Sequence, residues 1–180
     1  MGASGSGTTT LGHALAEQLN CLHLDTDDYY WLSTDPPFRK KRPTVESQAL
    51  LRADLSKDAG FVLSGSLCGW GDIFIPSFDL VVFLWLPSQF RLARLKERER
   101  LRYGEDTIAP GGLLYKPYIA FMTWAEAYDD GGMQMRSRQR HEQWLKNLTC
   151  PALRLEGCQQ LEVSVSRIVN YLSTMSNGCG

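Results

Sequence analysis

The stretch that decides the fold is Gly2-Ala3-Ser4-Gly5-Ser6-Gly7-Thr8-Thr9-Thr10, which follows Met1. It matches the pattern GxxxxGK[S/T] at both glycines and at the hydroxyl residue, and Thr8 stands where that pattern has lysine. Glycines let the backbone curl so that successive N–H groups point at phosphate oxygens, and the helix that follows adds its positive N-terminal end. The residues predicted to bind the phosphates are Gly2, Ser4, Gly5, Ser6, Gly7, Thr8, Thr9 and Thr10. The alternative is a flexible Gly/Ser/Thr leader before a helix.

The threonine at position 8 removes a positive charge from the loop. Losing one donor that stabilises charge at a transferring phosphate typically costs about 10² to 10³ in rate. Catalysis therefore needs a substitute cation. The candidates are Lys40, Lys41, Arg136 and Arg138.

A loop of this kind normally follows a central strand, yet only Met1 precedes Gly2. Removing a central strand leaves ladder donors and acceptors unpaired. We therefore interpret the first strand as truncated, through a wrongly chosen start codon or a shortened chain. The alternative is a sheet that closes without this strand.

Apolar spacing predicts alternating helices and strands after the loop. The expected strands are Cys21–Leu24, Phe61–Ser64, Leu80–Leu86 and Ala152–Leu155. The expected helices cover Leu11–Leu19, Pro43 to about Lys57, Pro87 to about Tyr103, about Tyr115–Tyr128, about Met133–Leu148 and Leu161–Leu172. Asp25–Arg42 is expected to be irregular, and the tail after Thr174 to fray. The alternation indicates an α/β fold with a parallel sheet and helices on both faces.

Composition limits the classes of function. The 180 residues carry 43% hydrophobic residues and a net charge of −1, which favours a single domain over 1–180 and gives no field to attract nucleic acid or an anionic membrane. The longest apolar run, Leu80–Leu86, is too short to span a bilayer, and no signal peptide is visible, so a cytoplasmic location is expected. The five cysteines are scattered without a CxxC pair, which favours reduced thiols over disulfides or zinc.

Carboxylates follow the expected strand Cys21–Leu24, at Asp25, Asp27 and Asp28. Open α/β sheets bind ligands at the carboxyl ends of their strands, so these positions are candidate functional residues. The alternative is a polar turn that caps a helix.

In the glycine loop and in His23-Leu24-Asp25-Thr26-Asp27, the chain resembles the adenylate kinase-like nucleoside monophosphate kinases and the related shikimate kinases. The likeness covers nearly the whole chain. It implies the three-layer sandwich of P-loop NTPases, a helical lid insertion over about 103–148, and use of ATP and Mg²⁺. It also implies that Thr9 and Asp25 serve the magnesium site and that Asp27 orients the acceptor hydroxyl as a base.

The helix after Pro87 carries the next part of the resemblance. Arg94 and Arg98 have the spacing that adenylate kinases use for arginines reaching the nucleotide phosphates, which implies catalytic roles for both. With Arg91 and Arg102 they form one stripe of the helix. The alternative is a solvated face paired with neighbouring glutamates.

The last part lies further along the chain. Asp129-Asp130 followed by Arg136 and Arg138 is similar to the acidic pair and the arginines of the adenylate kinase lid, so the resemblance implies that both arginines close over phosphates. Gly157 resembles the turn that holds the adenine base.

The segment after Phe61–Ser64 departs from the nucleoside monophosphate kinases, which have Asp-Gly and then an arginine that grips the monophosphate. Gly65-Ser66-Leu67-Cys68-Gly69-Trp70-Gly71 is closer to the turn of shikimate and gluconate kinases, which bind uncharged or carboxylate substrates. Arg39-Lys40-Lys41-Arg42 either holds a phosphate or carboxylate of the acceptor or is a solvated loop. Tyr29-Tyr30-Trp31 and Trp70 either stack on a ring or pack in the core.

These observations predict an ATP-binding phosphotransferase that passes the γ-phosphoryl group to a small-molecule or nucleoside monophosphate acceptor near Asp27. The alternative is a non-catalytic nucleotide-binding protein, in which Thr8 marks lost transfer but retained phosphate binding. A structural α/β domain with a vestigial loop is a weaker alternative. The acceptor and the oligomeric state stay open.

Overall fold

The computed structural model describes residues 1–57, 60–156 and 159–177. The strands are β1 (Leu22–Asp25), β2 (Phe61–Ser64), β3 (Val81–Trp85) and β4 (Ala152–Glu156). The helices are α1 (Thr8–Leu19), α2 (Thr26–Tyr30), α3 (Thr44–Leu55), α4 (Ser88–Tyr103), α5 (Glu105–Ile108), α6 (Tyr115–Glu126), α7 (Arg138–Leu145) and α8 (Leu161–Asn177). A 3-10 helix covers Asp72–Ser77.

The strands form two parallel pairs. β1 pairs with β2 so that Leu22 lies opposite Phe61, and β3 pairs with β4 so that Val81 lies opposite Ala152. Parallel neighbours need crossover connections, and helices supply them on both faces. The predicted α/β class with parallel strands is therefore confirmed.

The start of the chain lies against β3. The Met1 amine donates to the Val82 carbonyl at 2.6 Å, and the Leu84 N–H donates to the Met1 carbonyl at 2.9 Å. Gly2 continues this contact as a parallel bridge to Leu84. Met1 and Gly2 therefore extend β3 by a short parallel contact ahead of the glycine loop.

Side chains alternate between the two faces of the sheet, as the period of a strand dictates. On one face Leu11 of α1 packs in a core with Leu155 of β4 and Ile168 of α8. On the other face Leu51 of α3 and Phe83 of β3 belong to a second core. The two strand pairs thus lie between two layers of helices.

α4 and α6 form a separate packed unit beside the sheet. Leu95 of α4, with no exposed surface, packs with Met122 and Ala125 of α6 in a third core. The lid insertion is predicted over about 103–148. Most of α4 precedes that range, so only the part of this unit from Tyr103 onward lies inside it.

The expectation of an irregular stretch over Asp25–Arg42 is wrong at its beginning, where α2 forms. An Asp25 oxygen accepts the Asp27 N–H at 3.0 Å, and this cap satisfies a backbone donor in the first turn. The short helix Glu105–Ile108 and the 3-10 helix are also absent from the predicted elements.

The helix expected over about Met133–Leu148 is shorter than predicted. α7 begins at Arg138, because the Ser137 hydroxyl accepts the Arg140 N–H at 3.1 Å and caps the helix there. α8 continues past the expected end at Leu172.

Two expectations concern residues that the structure does not describe. Gly157, the predicted adenine turn, lies outside the described residues, and so does the end of the predicted frayed tail. Among the residues that are described, no helix is both long and apolar enough to cross a bilayer.

Candidate active site

The glycine loop runs from the contact with β3 into the first turn of α1. A Cβ at Gly2 would lie 2.4 Å from the Leu84 carbonyl oxygen, and one at Gly5 would lie 2.6 Å from the Arg91 carbonyl oxygen. Neither position has room for a larger residue, so the loop can lie this close to β3 and α4 only with glycine there. The loop is therefore held between two rigid elements.

The end of the loop presents helix donors to the cleft. Gly7 precedes α1 with φ of 95°, a left-handed conformation that favours glycine, and no side chain caps the helix. The first N–H groups of a twelve-residue helix are thus left for another acceptor. Anions are stabilised at such a helix start, which suits the predicted phosphate site.

Thr9 and Asp25 lie together, although sixteen residues separate them. The Thr9 hydroxyl donates to one Asp25 oxygen at 2.8 Å, and the Ser64 hydroxyl donates to the same oxygen at 3.2 Å. The carboxyl end of β1 thus meets the first turn of α1, at the edge where the sequence predicts ligands.

Magnesium takes oxygen ligands, usually one or two carboxylates completed by water and substrate phosphates. Thr9 and Asp25 supply a hydroxyl and a carboxylate 2.8 Å apart beside the loop, so the residues fit that ion. Among the described residues there is no group of three or more His, Cys, Asp or Glu side chains that could hold a metal on its own. Phosphate oxygens would therefore have to complete the coordination.

Asp27 faces the same cleft from the first turn of α2. Its side chain is open to the cleft, yet desolvation by the surrounding protein, followed by the negative charge of Asp25, raises its pKa above the ordinary value. The positive charge of Arg136 opposes this shift. A carboxyl with a raised pKa in a cleft is typical of a group that exchanges protons during a reaction.

Arg136 reaches the loop from the segment before α7. Its guanidinium donates to the Gly2 carbonyl at 2.7 Å, and its Nε is buried without a hydrogen-bond partner among the described residues. Burial lowers the pKa of Arg136, and Asp27 is the strongest charge that acts against this shift. One of the four predicted substitutes for the loop lysine therefore touches the loop itself.

The other predicted substitutes lie elsewhere. Lys41 lines the cleft 5.4 Å from the centre of the Tyr30 ring. Arg138 stacks over the Trp85 ring at 5.3 Å and does not belong to the residues that line the cleft, and neither does Lys40. Arg138 points away because α7 turns it to the side of the helix opposite its neighbour in the cleft, Arg140.

The arginine stripe of α4 is divided by burial. Arg91 has no exposed surface and pairs with Asp129 at 2.6 Å. Arg94 lines the cleft with its Nη1 3.5 Å from the Ser6 carbonyl, and Arg98 lines it while paired with Glu99 at 3.2 Å. Of the two arginines that the resemblance singled out, Arg94 thus lies by the loop and Arg98 lines the same cleft, whereas Arg91 is part of the core.

The cleft has a volume of about 1630 Å³ and is strongly charged, in contrast to the nearly neutral chain. Its basic side chains are Arg39, Lys41, Arg42, Arg94, Arg98, Arg102, Arg136 and Arg140, and its carboxylates are Asp25, Asp27, Asp28 and Glu99. The excess of positive charge favours anionic ligands in this cleft.

The aromatic residues divide between the core and the cleft. Tyr29 is buried and donates to Asp54 at 2.8 Å, and Trp70 is buried in the same core. Tyr30 and Trp31 line the cleft and contact each other edge to face, with ring centroids 4.9 Å apart. Packing in the core is therefore confirmed for Tyr29 and Trp70, and Trp70 also borders the cleft. Stacking of Tyr30 or Trp31 on a ring stays a prediction.

A buried hydrogen-bonded chain beside the cleft was not predicted. The Ser66 hydroxyl lies 3.0 Å from His141 Nε2, and His141 Nδ1 lies 2.8 Å from the Tyr128 hydroxyl. Burial, followed by the charge of Arg136, lowers the pKa of His141 to about 2, so the ring is neutral. The sequence carries no spacing signal for this chain, since its members lie 13 and 75 residues apart.

Comparison with known proteins identifies a relative and a fold. No protein-family model matches the chain. The chain is 48% identical over 174 residues to the uncharacterized protein YqaC of Bacillus subtilis (strain 168), covering 97% of this chain and 96% of YqaC.

The solved structures similar to this one include two shikimate kinases. The enzyme from Acinetobacter baumannii, in complex with shikimate, has a TM-score of 0.55 at 15% identity over 96% of this chain and 90% of that chain. The enzyme from Bacteroides thetaiotaomicron has a TM-score of 0.49 at 23% identity, over 96% and 95% of the two chains. The first likeness shows a P-loop kinase-like fold, and it does not show a substrate. By its sequence the chain belongs to the family of YqaC.

Proposed function

We propose that this protein is an ATP-dependent phosphotransferase that passes the γ-phosphoryl group to a small-molecule or nucleoside monophosphate acceptor. The observation that carries the proposal is the meeting of three parts in one cleft: the glycine loop at the start of α1, the Thr9–Asp25 contact at 2.8 Å, and Asp27 beside it. Phosphoryl transfer requires positioning and neutralisation of charge, and these parts can supply both.

The loop residues have separate roles in this proposal. Gly2, Ser4, Gly5, Ser6, Gly7, Thr8 and Thr10 surround the nucleotide phosphates with backbone N–H groups and hydroxyls. Thr9 and Asp25 hold Mg²⁺, which when bound would neutralise phosphate charge. Asp27 orients the acceptor and accepts its proton, and its raised pKa suits that exchange.

Three arginines complete the proposal in unequal ways. Arg94 beside the loop and Arg98 elsewhere in the cleft supply positive charge that favours binding of the phosphates. Arg136 takes the place of the loop lysine, because its guanidinium already contacts the Gly2 carbonyl. Arg138 stacks on Trp85 outside the cleft, so it has no phosphate contact in this proposal.

The test is nucleotide binding followed by turnover. Calorimetry with ATP and Mg²⁺ should give a saturable heat, and Thr9→Val should weaken the magnesium-dependent part of the affinity. Arg138→Gln, outside the cleft, is a matched surface control and should bind as the parent does. ADP release in the presence of a panel of hydroxyl and phosphate acceptors then measures transfer.

The non-catalytic alternative rests on one observation, the threonine at position 8. It is favoured if nucleotide binds with a saturable heat and no ADP is formed, either with any acceptor of the panel or with water alone. Absence of binding at millimolar nucleotide would contradict both functions. The remaining interpretation would then be a structural α/β domain with a vestigial loop.

A further inference from the structure

Ser66 lines the cleft, and the protein holds it from three directions. Its N–H donates to the Thr26 hydroxyl at 3.1 Å, and its carbonyl accepts from the Trp70 indole at 3.0 Å. Its hydroxyl oxygen lies 3.0 Å from His141 Nε2. Because Thr26 directly precedes Asp27, Ser66 borders the end of the cleft where the proposed acceptor binds.

The imidazole of His141 is buried behind Ser66. It has no exposed surface, and it meets the rings of Phe83 and Tyr128 edge to face, with centroids 6.1 and 5.5 Å away. Its Nδ1 lies 2.8 Å from the Tyr128 hydroxyl. Both ring nitrogens therefore have partners, one in the core and one in the cleft.

The Tyr128 hydroxyl determines where the protons of this chain lie. Tyr128 is 3% exposed, and within the described part of the chain its hydroxyl has His141 as its one hydrogen-bond partner. A buried hydroxyl proton without an acceptor is costly, so Tyr128 donates to Nδ1. The neutral imidazole then carries its proton on Nε2 and donates it to the Ser66 oxygen. The proton of the Ser66 hydroxyl is left for an acceptor in the cleft.

Two neighbours determine which kind of group takes this proton. The Cys68 side chain lies next to the Ser66 hydroxyl and lines the cleft, but a thiol sulfur is a weak acceptor. The Arg140 guanidinium lies over the same turn, with one nitrogen 3.5 Å from the Cys68 carbonyl. A ligand oxygen that carries negative charge is a stronger acceptor than the thiol, and Arg140 attracts it.

We infer that Ser66 determines specificity for the phosphoryl acceptor: its hydroxyl donates to a carboxylate or phosphate oxygen of that molecule, and His141 and Tyr128 are positioning residues that hold it as a donor. An amine or ammonium group at the same place would meet a donor and is disfavoured. This inference rests on the proposed function, because it names a contact of the acceptor.

The first test needs no substrate. A long-range ¹H–¹⁵N spectrum of the full chain at pH 7 should show His141 with its proton on Nε2, and the form with the proton on Nδ1 should stay below about a tenth of the population. Tyr128→Phe removes the donor to Nδ1 and should raise the share of that second form. A predominant proton on Nδ1 in the parent protein would overturn the inference.

The second test measures binding of two anionic alcohols, glycerate and glycerol phosphate, with uncharged glycerol as the control. At least one anion should shift the His141 Nε2 signal, and the active anion distinguishes a carboxylate from a phosphate. Ser66→Ala should weaken this binding about 10- to 100-fold. Ser56→Ala, which removes an exposed hydroxyl bonded to the Arg52 carbonyl, should leave it unchanged. An equal shift with glycerol, or no shift with either anion, would overturn the inference.

The third test uses the acceptors of the panel that release ADP. Ser66→Ala and His141→Leu should raise the KM for the acceptor about 10- to 100-fold and change kcat by less than about threefold. Ser66→Thr and His141→Gln keep a donor at the same places and should recover most of the loss. An unchanged KM in Ser66→Ala would overturn the inference. Anion binding at Ser66 without ADP release from any acceptor would instead disprove the proposed transfer and leave this contact standing.

Discussion

The guanidinium of Arg136 brings a positive charge to the glycine loop from outside the loop. Its contact with the Gly2 carbonyl lies next to Thr8, the position where a lysine would otherwise stand. Arg136 belongs to the segment before α7, so its substitution leaves the sequence of the glycine loop unchanged. The charge and the loop can therefore be tested separately.

We expect Arg136→Met to lower the rate of phosphoryl transfer about 10²- to 10³-fold and to change nucleotide affinity much less, because the lost donor acts on developing charge. Thr8→Lys in the same chain should recover part of the loss, since a lysine there can reach the β- and γ-phosphates. Single-turnover release of ADP measures both variants. Arg138→Met is the control, and full activity of Arg136→Met would disprove the assignment.

Asp27 links activity to stability. Its pKa is raised in the folded state, so the folded protein binds more protons than the unfolded chain above the unfolded pKa of 3.8, and stability falls as pH rises through the interval up to the folded pKa. Asp27→Asn should therefore raise the melting temperature at pH 7, with the gain disappearing below about pH 3.8.

The same variant should lower the rate of transfer about 10²- to 10⁴-fold if Asp27 accepts the proton of the acceptor. Thermal melts from pH 3 to pH 8 and turnover at pH 7 measure the two effects. Asp28→Asn removes an equal charge one residue along and should show neither. Loss of stability at pH 7 in Asp27→Asn would contradict the account of its surroundings.

At the scale of elements, one ion pair holds α4 to the turn after α6. The buried Arg91 donates to Asp129 at 2.6 Å, to the Ala125 carbonyl at 3.2 Å and to the Leu86 carbonyl at 2.9 Å. The acidic pair that resembles a lid hinge is thus anchored by a residue of the predicted phosphate-binding helix.

We expect Arg91→Met to lower the free energy of unfolding by about 3 kcal/mol, because it leaves carbonyls and a carboxylate without their buried partner. Arg100→Met on the same helix removes an exposed pair with Glu97 and should cost less than about 1 kcal/mol. Urea denaturation measures both variants. Equal losses of the free energy of unfolding would show that the buried pair of Arg91 contributes no more to stability than the exposed pair of Arg100.

At the scale of the whole molecule, charge is unevenly distributed. The chain has a net charge of −1, yet basic side chains outnumber carboxylates in the cleft between the sheet, α4 and α6. This local excess is suited to a polyanion that bridges several elements. A bound nucleotide would therefore stabilise the molecule as a unit.

ATP with Mg²⁺ at 100 times its dissociation constant should stabilise the fold by about 2.7 kcal/mol, which is a rise of about 5 to 10 °C in melting temperature. Differential scanning fluorimetry measures the shift. Raising the salt concentration should reduce it, because counterions compete for the same side chains. A nucleoside without phosphates is the control, and an equal shift with that compound would contradict a phosphate site.

Local patterns in the sequence predicted those elements of the fold whose conformation depends on residues close together in the chain. The glycine loop, α1 and the apolar strand β3 are all predictable from residues close together in the chain, because backbone conformation and strand burial follow from local composition. The position of Asp25 at the end of its strand was also predicted, although the roles of these residues stay predictions.

Only the tertiary structure decided which distant residues meet. Arg136 and Arg138 differ by two positions, yet Arg136 contacts the loop and Arg138 stacks on Trp85. Ser137 caps α7 between them, so the chain changes from an irregular segment to a helix at that point and the two side chains diverge. The pairing of Ser66 with His141 likewise depends on how elements pack after they form. Contacts between residues far apart in the chain are set by that packing, which no local spacing encodes.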